Sequence, residues 1–305
     1  MSILRILALG VLVAISSGAP ADGAETPQPV AIVYLLAGDA WLTAPDTARR
    51  PLRLPEHLPA KTTVEVGPGS RLMLAFVSGL RYELGERSRV TLGPGDFSLK
   101  SGPVRPLPRF PPLPLIWPIA AEDNPGLRAG AVRIPAVRIR TESVRRLYPD
   151  HGAATLAEAT VLRFEPVESA GKYRVEVQDS QGKVAFTKDT TTVTLDLPKG
   201  VLQPGMRYVW TIRTLEREGA VAQGKAYFVT LSAKVAEERE ALRKALEAEG
   251  DSASLALLAE IDRSLGLLAE ARDGLQAVIN GSPGETGLTE TLAELERRLP
   301  YRQSP

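Results

Sequence analysis

The sequence predicts a multidomain protein that is mainly β, with an α-helical C-terminus built of antiparallel helical hairpins. Two stretches, residues 30–100 and 152–232, alternate apolar with polar residues, which is the period of half-buried antiparallel strands. A proline-rich segment, residues 101–150, separates them. From residue 233 to 299 the apolar period becomes that of an α-helix. The predicted order is therefore two small β-domains joined by a basic linker and followed by helices.

Residues 1–24 have the features of a secretory signal peptide. The stretch from Leu4 to Ile15 is apolar except at Arg5, and it is shorter than the roughly 20 residues that span a bilayer. Ala19-Pro20-Ala21 follows as a small-x-small cleavage site. We expect a periplasmic or secreted protein with no stable membrane span after cleavage, and an uncleaved anchor is the alternative. The chain has no cysteine, so no disulfide and no thiol nucleophile is available.

Charge is unevenly distributed along the chain. Lys100 to Arg146 holds nine basic and three acidic residues, whereas Lys234 to Leu299 holds eight basic and fourteen acidic ones. The two segments could attract one another, or the basic one could contact an anionic glycan or lipid surface. Ordinary solvation of a linker and of helix faces is the simpler explanation. The net charge of +1 gives no reason to expect a nucleic-acid partner.

In residues 30–100 short strands are separated by tight turns. Leu72, Leu74 and Phe76 alternate as strand residues do. Gly67-Pro68-Gly69 and Gly93-Pro94-Gly95 both predict type II turns, because Pro fixes φ and the following Gly accepts a positive φ.

This pattern resembles the FecR domain, a small bacterial β-module with a strand ending in Gly, an apolar strand, a Gly turn and a final strand. The matching positions are Val64-Glu65-Val66-Gly67, Ser70, Leu72-Met73-Leu74-Ala75-Phe76, Gly79, Tyr82-Glu83-Leu84 and Ser88-Arg89-Val90-Thr91-Leu92, with Gly38-Asp39-Ala40 as the opening strand. His57-Leu58-Pro59 departs from the family, which commonly has a Gly-containing turn there. The resemblance implies a role in cell-envelope signalling or in binding envelope components. Signalling members reach a sigma factor through a cytoplasmic segment and a transmembrane helix. Neither is predicted here, so we do not expect sigma-factor control.

Seven prolines between residues 101 and 118 predict an extended, polyproline-like linker. Phe110, Ile116 and Trp117 within it are apolar enough to pack on a neighbouring domain. A proline-rich ligand for an aromatic-lined groove is the alternative.

Residues 152–232 resemble a fibronectin type III or immunoglobulin-like sandwich. Alternation is clear from Tyr173 to Val177, and about seven strands fit the segment. Tyr208 and Trp210 match the corner of such a sandwich, in which a Tyr hydroxyl hydrogen-bonds back to the preceding loop. Phe164 stands where the family usually has a core Trp.

Four helices are predicted after residue 232. They run from Ala233 to a stop at Gly250, from Ser254 to Leu265, from Leu268 to Asn280 and from Thr289 to Leu299. The string LLAEIDRSL at 257–265 recurs 34 residues later as TLAELERRL at 291–299. This period is that of a helix–turn–helix unit that stacks on a neighbour, and from residue 252 onward the chain resembles a tetratricopeptide repeat. Because only about one and a half repeats are present, we expect the helices to pack against the sandwich or to pair with another chain.

Asp262 and Glu296 occupy equivalent positions in this repeat, where the family prefers an aromatic residue. Two carboxylates along one groove would face a basic partner, and we take them as the candidate binding residues. The alternative is that each is a surface charge paired with its neighbour, Arg263 or Arg297.

Little in the sequence indicates catalysis. His57 and His151 are the only histidines, which leaves almost no material for a His-based metal site or a Ser-His-Asp triad. No nucleophile elbow, P-loop or dinucleotide-binding glycine motif is present. We expect no enzymatic activity, no catalytic residues, no cofactor and no metal.

The sequence thus favours a non-catalytic exported cell-envelope protein that mediates protein–protein interaction or scaffolding, with envelope signalling as one setting. Its partner would be a protein of the envelope or a second copy of itself. The alternative is a glycan- or peptidoglycan-binding protein. Sugar binding normally uses exposed aromatic side chains, and the sequence supports it poorly, since aromatic residues make up 5% of the chain and most are assigned to cores.

Overall fold

The computed structural model describes residues 28–45, 47–112, 144–150, 153–168, 170–215, 222–281 and 286–299. These residues form seventeen strands followed by four helices. The predicted fold class, mainly β with a helical C-terminus, is confirmed. The predicted signal peptide lies outside the described residues, as do Ile116, Trp117 and His151.

The first ten strands form two antiparallel sheets, which together we refer to as the first β-module (residues 28–112). The strands are β1 (Pro29–Ala37), β2 (Ala40–Thr43), β3 (Arg50–Pro51), β4 (Glu56–Pro59), β5 (Thr63–Val66), β6 (Arg71–Phe76), β7 (Arg81–Leu84), β8 (Arg89–Leu92), β9 (Phe97–Ser101) and β10 (Val104–Leu107). One sheet has the order β10-β7-β6-β1-β4 and the other β3-β2-β5-β8-β9. The consecutive strands β3 and β4 lie at edges of different sheets, and so do β9 and β10. The chain therefore crosses from one sheet to the other at both pairs of edges.

Strand β1 is apolar on both faces, so its sequence does not alternate. Ala31 and Val33 lie in the core between the two sheets. Ile32 and Tyr34 belong to a different core, which the helices share. All four residues are at most 1% exposed. A strand buried on both faces reads as a continuous apolar run, and β1 marks where the first β-module meets the rest of the protein.

The two predicted glycine–proline turns differ in the structure. Gly69 takes a φ of +63°, as the predicted turn at residues 67–69 requires. Gly95 does not take a positive φ. Instead the Gly93 N–H donates a 2.6 Å hydrogen bond to the Asp96 carbonyl oxygen, which closes the loop beyond the glycines. The type II turn predicted at residues 93–95 is therefore wrong.

The first β-module extends into the segment predicted as a linker. Strand β10 pairs antiparallel with β7, from Val104 opposite Leu84 to Leu107 opposite Arg81. Pro106 is tolerated because β10 is an edge strand. Phe110 is 4% exposed and packs in the core shared with the helices, as expected for a residue that contacts a neighbouring domain. The linker predicted for 101–150 thus does not begin at residue 101, and residues 113–143 of it lie outside the described part.

The next seven strands form a β-sandwich, the second β-module (residues 153–230). They are β11 (Ala153–Thr155), β12 (Val161–Arg163), β13 (Tyr173–Asp179), β14 (Val184–Thr190), β15 (Thr194–Asp196), β16 (Arg207–Thr214) and β17 (Gln223–Thr230). A five-stranded sheet of order β11-β17-β16-β13-β14 and the pair β12–β15 share one apolar core. Trp210 and Phe164 lie in this core, where both are almost completely buried.

Tyr208 forms the predicted corner of the sandwich. Its hydroxyl accepts a 2.8 Å hydrogen bond from the Gln203 backbone N–H in the preceding loop. The Trp210 indole N–H donates to the Pro149 carbonyl oxygen at 2.8 Å, which ties the chain before the sandwich to its core. The predicted roles of Tyr208 and Trp210 are confirmed.

The helices are α1 (Ala233–Glu249), α2 (Ser252–Ser264), α3 (Leu268–Gly281) and α4 (Thr286–Arg298), within three residues of the predicted ends. Helix α1 ends at Gly250, whose φ of +68° is the left-handed cap that glycine supplies. Asp251 then caps α2 by accepting a 2.8 Å hydrogen bond from the Ser254 N–H. None of the described helices is both long enough and apolar enough to cross a membrane.

One apolar core joins the helices to both β-modules. It contains Ile32 and Ala75 from the first β-module, Val229 from the end of the second, Leu231 directly after it, and the buried leucines of the helices. Helices α2 and α4 both contact β1. The expectation that the helices pack on the sandwich is therefore incomplete, because they also cover the outer face of a sheet in the first β-module.

Replacing Tyr208 by Phe should lower the free energy of unfolding by about 1 kcal/mol, because the Gln203 N–H loses its acceptor while the ring stays in place. Urea-induced unfolding of the two proteins measures the difference. The matched control is Tyr82→Phe, whose hydroxyl contacts Asp96 at an exposed site and should change stability by less than about 0.5 kcal/mol. Equal losses in the two variants would contradict the corner's role.

Candidate interaction surface

Arg81 joins the first β-module to the helices. It lies on β7, and its side chain is 1% exposed. Its Nε donates to the Pro108 carbonyl oxygen at 2.8 Å, its Nη1 donates to Ser254 Oγ at 3.0 Å, and its Nη2 forms an ion pair with Glu249. Ser254 Oγ also donates to Glu249 at 2.7 Å. A buried charge requires partners of this kind, so the network fixes where α1 and α2 meet the sheet.

The sequence pattern does not reveal the role of Arg81. Its register opposite Ala75 places it on the face of the sheet that an isolated β-domain would expose to solvent. Its partners Glu249 and Ser254 lie 168 and 173 residues further along the chain. No local signal pairs residues that far apart.

A second junction lies between β4 and α2. His57 Nε2 is 3.6 Å from Glu260 Oε1 and 3.5 Å from Ser264 Oγ. Ser264 donates to Glu260 at 3.3 Å, and Arg263 forms two hydrogen bonds with the same carboxylate. In a Ser-His-acid triad the serine and the carboxylate contact opposite nitrogens of the imidazole. Here both contacts involve the same nitrogen, so the geometry is not that of a relay from serine through histidine to the acid.

The two groups of this junction differ in exposure, since the His57 side chain is 39% exposed and that of Glu260 is 5% exposed. Desolvation of the imidazole against α2 lowers the pKa of His57 to about 4, with the Arg263 cation acting in the same direction and the Glu56 carboxylate opposing both. Burial also raises the pKa of Glu260, against the stabilising hydrogen bonds from Arg263. Among the described residues no group of three or more His, Asp or Glu side chains is placed to hold a metal ion.

Asp262, one of the two predicted site residues, has its partner inside the chain. It is 2% exposed, and it accepts hydrogen bonds of 2.8 and 2.7 Å from Arg239 of α1. Burial raises the pKa of Asp262, and the bonds from Arg239 act against that rise. The alternative prediction, that Asp262 is a surface charge paired with Arg263, is wrong, because adjacent residues on a helix do not face each other. Arg263 instead pairs with Glu260, three residues earlier.

Glu296, the second predicted site residue, is exposed on α4. Within the described ranges it forms no ion pair, and the Arg297 Nε donates to the Ala293 carbonyl oxygen at 3.3 Å instead. The repeat therefore places its two equivalent carboxylates in different environments, one buried against α1 and one facing solvent. Binding of a basic partner by Glu296 stays a prediction.

Comparison of α2 with α4 identifies an open surface. Ala259 on α2 is 1% exposed. Gly274 of α3 packs on it so closely that a Cβ at Gly274 would lie 2.9 Å from the Ala259 Cβ. Ala293 is the equivalent residue on α4, and it is exposed. We refer to the exposed residues of α4 as the α4 outer face: Thr289, Glu290, Ala293, Glu294, Glu296, Arg297 and Arg298.

The edge strands β9 and β14 carry exposed large apolar side chains, Leu99 and Val184. Both strands also have a register shift in their pairing with the neighbouring strand. Lys100 stands on β9 and Lys188 on β14. Bulges and lysines are devices by which proteins keep an edge from pairing with a further strand. These edges are therefore less suited to binding than the α4 outer face.

Two half-buried aromatic rings on the β-modules are covered by arginine side chains. The Arg49 guanidinium carbon lies 4.3 Å from the centre of the Trp41 ring, and that of Arg207 lies 4.9 Å from the centre of the Tyr227 ring. These are cation–π distances. A ring covered in this way has one face fewer on which a sugar could stack.

No protein-family model matches the sequence, and no curated protein matches it. Two of the solved structures that resemble this chain show how weak the similarity is. CopC from Methylosinus trichosporium OB3b is 23% identical over 30% of this chain and 94% of that chain, with a TM-score of 0.24. The FN1–FN3 domains of chicken CNTN1 are 8% identical over 68% of this chain and 64% of that chain, also with a TM-score of 0.24. The description of the second β-module as a sandwich rests on its own sheets and core.

Replacing Glu249 by Gln should lower the free energy of unfolding by about 3 kcal/mol, because it leaves the buried Arg81 charge without a counter-charge. The double variant Arg81→Met/Glu249→Gln should recover part of that loss, since it removes the buried charge as well. Glu83→Gln is the matched control: its partner Arg105 is 70% exposed, and the change should cost less than about 1 kcal/mol. Urea-induced unfolding that gives equal losses for Glu249→Gln and Glu83→Gln would contradict a buried junction.

The stability of the protein should fall as pH decreases from 6.5 to about 4, in part through His57. The pKa of His57 is lower in the folded protein than in the unfolded chain, so the unfolded chain binds more protons in this window and is favoured as pH falls. His57→Gln removes that contribution, so the stability of the variant should depend less on pH. Glu260 has the opposite effect, because its pKa is raised in the folded protein. Above the ordinary pKa of a glutamate the folded protein therefore binds more protons than the unfolded chain and is favoured as pH falls. Thermal unfolding of both proteins between pH 6.5 and about 4 measures how stability changes with pH. If stability falls equally steeply in the variant, His57 does not have a lowered pKa in the folded protein.

Proposed function

We propose that this is a non-catalytic exported protein of the cell envelope that binds another protein and acts as a scaffold. In this proposal the first β-module is FecR-like, the second is a fibronectin type III-like sandwich, and the helices are a shortened tetratricopeptide-like array. The predicted leader, residues 1–24, carries the chain into the periplasm or out of the cell.

The observation that carries this proposal is the unequal coverage of the two halves of the repeat. On α2 the repeated residues contact α1, α3 and β4, through Asp262, Ala259 and Glu260 respectively. On α4 their equivalents Ala293, Glu294 and Glu296 are exposed. Each unit of a helical array buries its faces against neighbours. The α4 outer face is accordingly the place at which a further protein would continue the array.

The rest of the molecule supports a scaffolding role because it holds this face in a fixed position. The buried ion pair of Arg81 and Glu249 and the shared apolar core bind the helices to the first β-module. The Ala154 N–H, at the start of the second β-module, donates to the Gly266 carbonyl oxygen between α2 and α3 at 3.0 Å. A partner bound at α4 would therefore have a defined orientation relative to both β-modules.

A photo-crosslinking amino acid at position 293 should give a discrete protein adduct in intact cells, because Ala293 is at the centre of the α4 outer face. The same amino acid at position 277, an exposed alanine on α3, is the control and should give none. Mass spectrometry identifies the adduct, and cell fractionation shows whether it forms in the envelope. An adduct at both positions, or at neither, would contradict specific binding through α4.

A further inference from the structure

Helix α3 ends in a dipeptide with a chemistry of its own. The last two residues of the helix are Asn280 and Gly281, and both are exposed. The side-chain amide of an asparagine can be attacked by the backbone nitrogen of the next residue. This attack is easiest when the next residue is glycine, because no Cβ shields its nitrogen. An exposed Asn-Gly at a helix end therefore indicates a site of spontaneous covalent change.

Water is the only co-reactant. The Gly281 nitrogen gives up its proton and bonds to Asn280 Cγ, and the bond from Cγ to Nδ2 breaks as ammonia leaves, so that a five-membered succinimide remains. Water then opens the ring. Cleavage between the nitrogen and Cγ gives aspartate at position 280. Cleavage between the nitrogen and the backbone carbonyl carbon gives isoaspartate, which carries the main chain through Cβ. Either product replaces a neutral amide by a carboxylate.

The place of the dipeptide in the helix makes the attack feasible. Inside a helix each backbone N–H is held by the carbonyl oxygen four residues earlier. The carbonyls of the last turn have no partners further along the helix, and helix ends fray. Opening of this single turn releases the Gly281 nitrogen. The Gln276 Nε2 donates to Asn280 Oδ1 at 2.9 Å, and a donor at this oxygen stabilises the negative charge that develops there during the attack.

A related dipeptide in the same helix provides a contrast. Asp273-Gly274 could isomerise through the same ring by losing water, but it lies in the middle of α3. Gly274 packs on Ala259, and the Asp273 carboxylate accepts a 2.6 Å hydrogen bond from Arg272. Releasing the Gly274 nitrogen would require several turns of a packed helix to open. The structure therefore distinguishes the end of α3 from its middle.

We propose that Asn280 is a site of spontaneous deamidation, at which the protein gains a carboxylate as it ages. The inference is independent of the proposed function, because the reaction involves no second protein. The new charge lies at the C-terminal end of α3, where the helix dipole is negative. A Cβ at Gly281 would be 4.0 Å from Ser252 Oγ, so the charge is also close to the start of α2, which the Asp251 carboxylate caps. The end of α3 should therefore pack less firmly on α2 after the reaction.

Peptide mapping by mass spectrometry tests the reaction. The full chain, kept folded in mildly alkaline water enriched in oxygen-18, should incorporate the label at position 280. Gly281→Ala should slow this by about tenfold or more, since a Cβ then shields the nitrogen. Asn124, the other asparagine of the sequence, is an internal control. It should stay unlabelled, because the nitrogen of Pro125 carries no hydrogen.

The same incubation in urea separates the influence of the helix from that of the sequence. In urea both Asn280 and the Asp273-Gly274 dipeptide should react, whereas in the folded protein only Asn280 should. Reaction of Asn280 in urea but not in the folded protein over the same period would overturn the inference.

Asn280→Asp reproduces the new charge and tests its effect on stability. The variant should unfold at a lower urea concentration than the original protein. Thr289→Asp is the control, because it places the same charge at an exposed position near the start of α4, where the helix dipole favours it. Equal stability of Asn280→Asp and the original protein would overturn the expected loosening of α3.

Discussion

The buried guanidinium of Arg81 constrains the arrangement of the whole molecule. It projects from the first β-module into a region without solvent, and its counter-charge, Glu249, comes from the end of α1. Such a pair adds little net stability, because desolvation offsets much of the attraction. Separating its partners is costly, however, since one charge is left buried. The apolar core provides the energy of docking, while Arg81 restricts the orientations in which docking can occur.

This constraint explains which surfaces remain available. The outer face of the β1–β6 sheet is covered by α2 and α4, and Asp262 of α2 is held by Arg239 of α1. The chain's own contacts therefore cover the repeated residues Ala259, Glu260 and Asp262 of α2. Helix α4 uses its leucines for the same core and presents its remaining residues outward. The proposed binding function follows from this difference between α2 and α4. Among the described residues, the repeated positions are covered on α2 and exposed on α4.

Features encoded by neighbouring residues were predictable from the sequence, and features encoded by distant residues were not. The helix ends depend on local capping by Gly250 and Asp251, and the sandwich corner depends on Tyr208 and a loop five residues away. The partner of Asp262 is 23 residues distant on another helix. Neighbouring residues suggested Arg263, which lies on a different side of α2. Arg81 and Glu249 are 168 residues apart, and no periodic pattern in the sequence indicates that they pair.

Hydrogen exchange of the native protein tests most directly whether the helices and the first β-module form one cooperative unit. Residues that share a core open together and have the same free energy of opening. The account predicts that the slowest backbone amides of β1 and of α2 exchange with equal opening free energies, and that both decrease together in Glu249→Gln. Exchange of α2 at a distinctly lower free energy than β1, with the difference unaffected by that substitution, would contradict it.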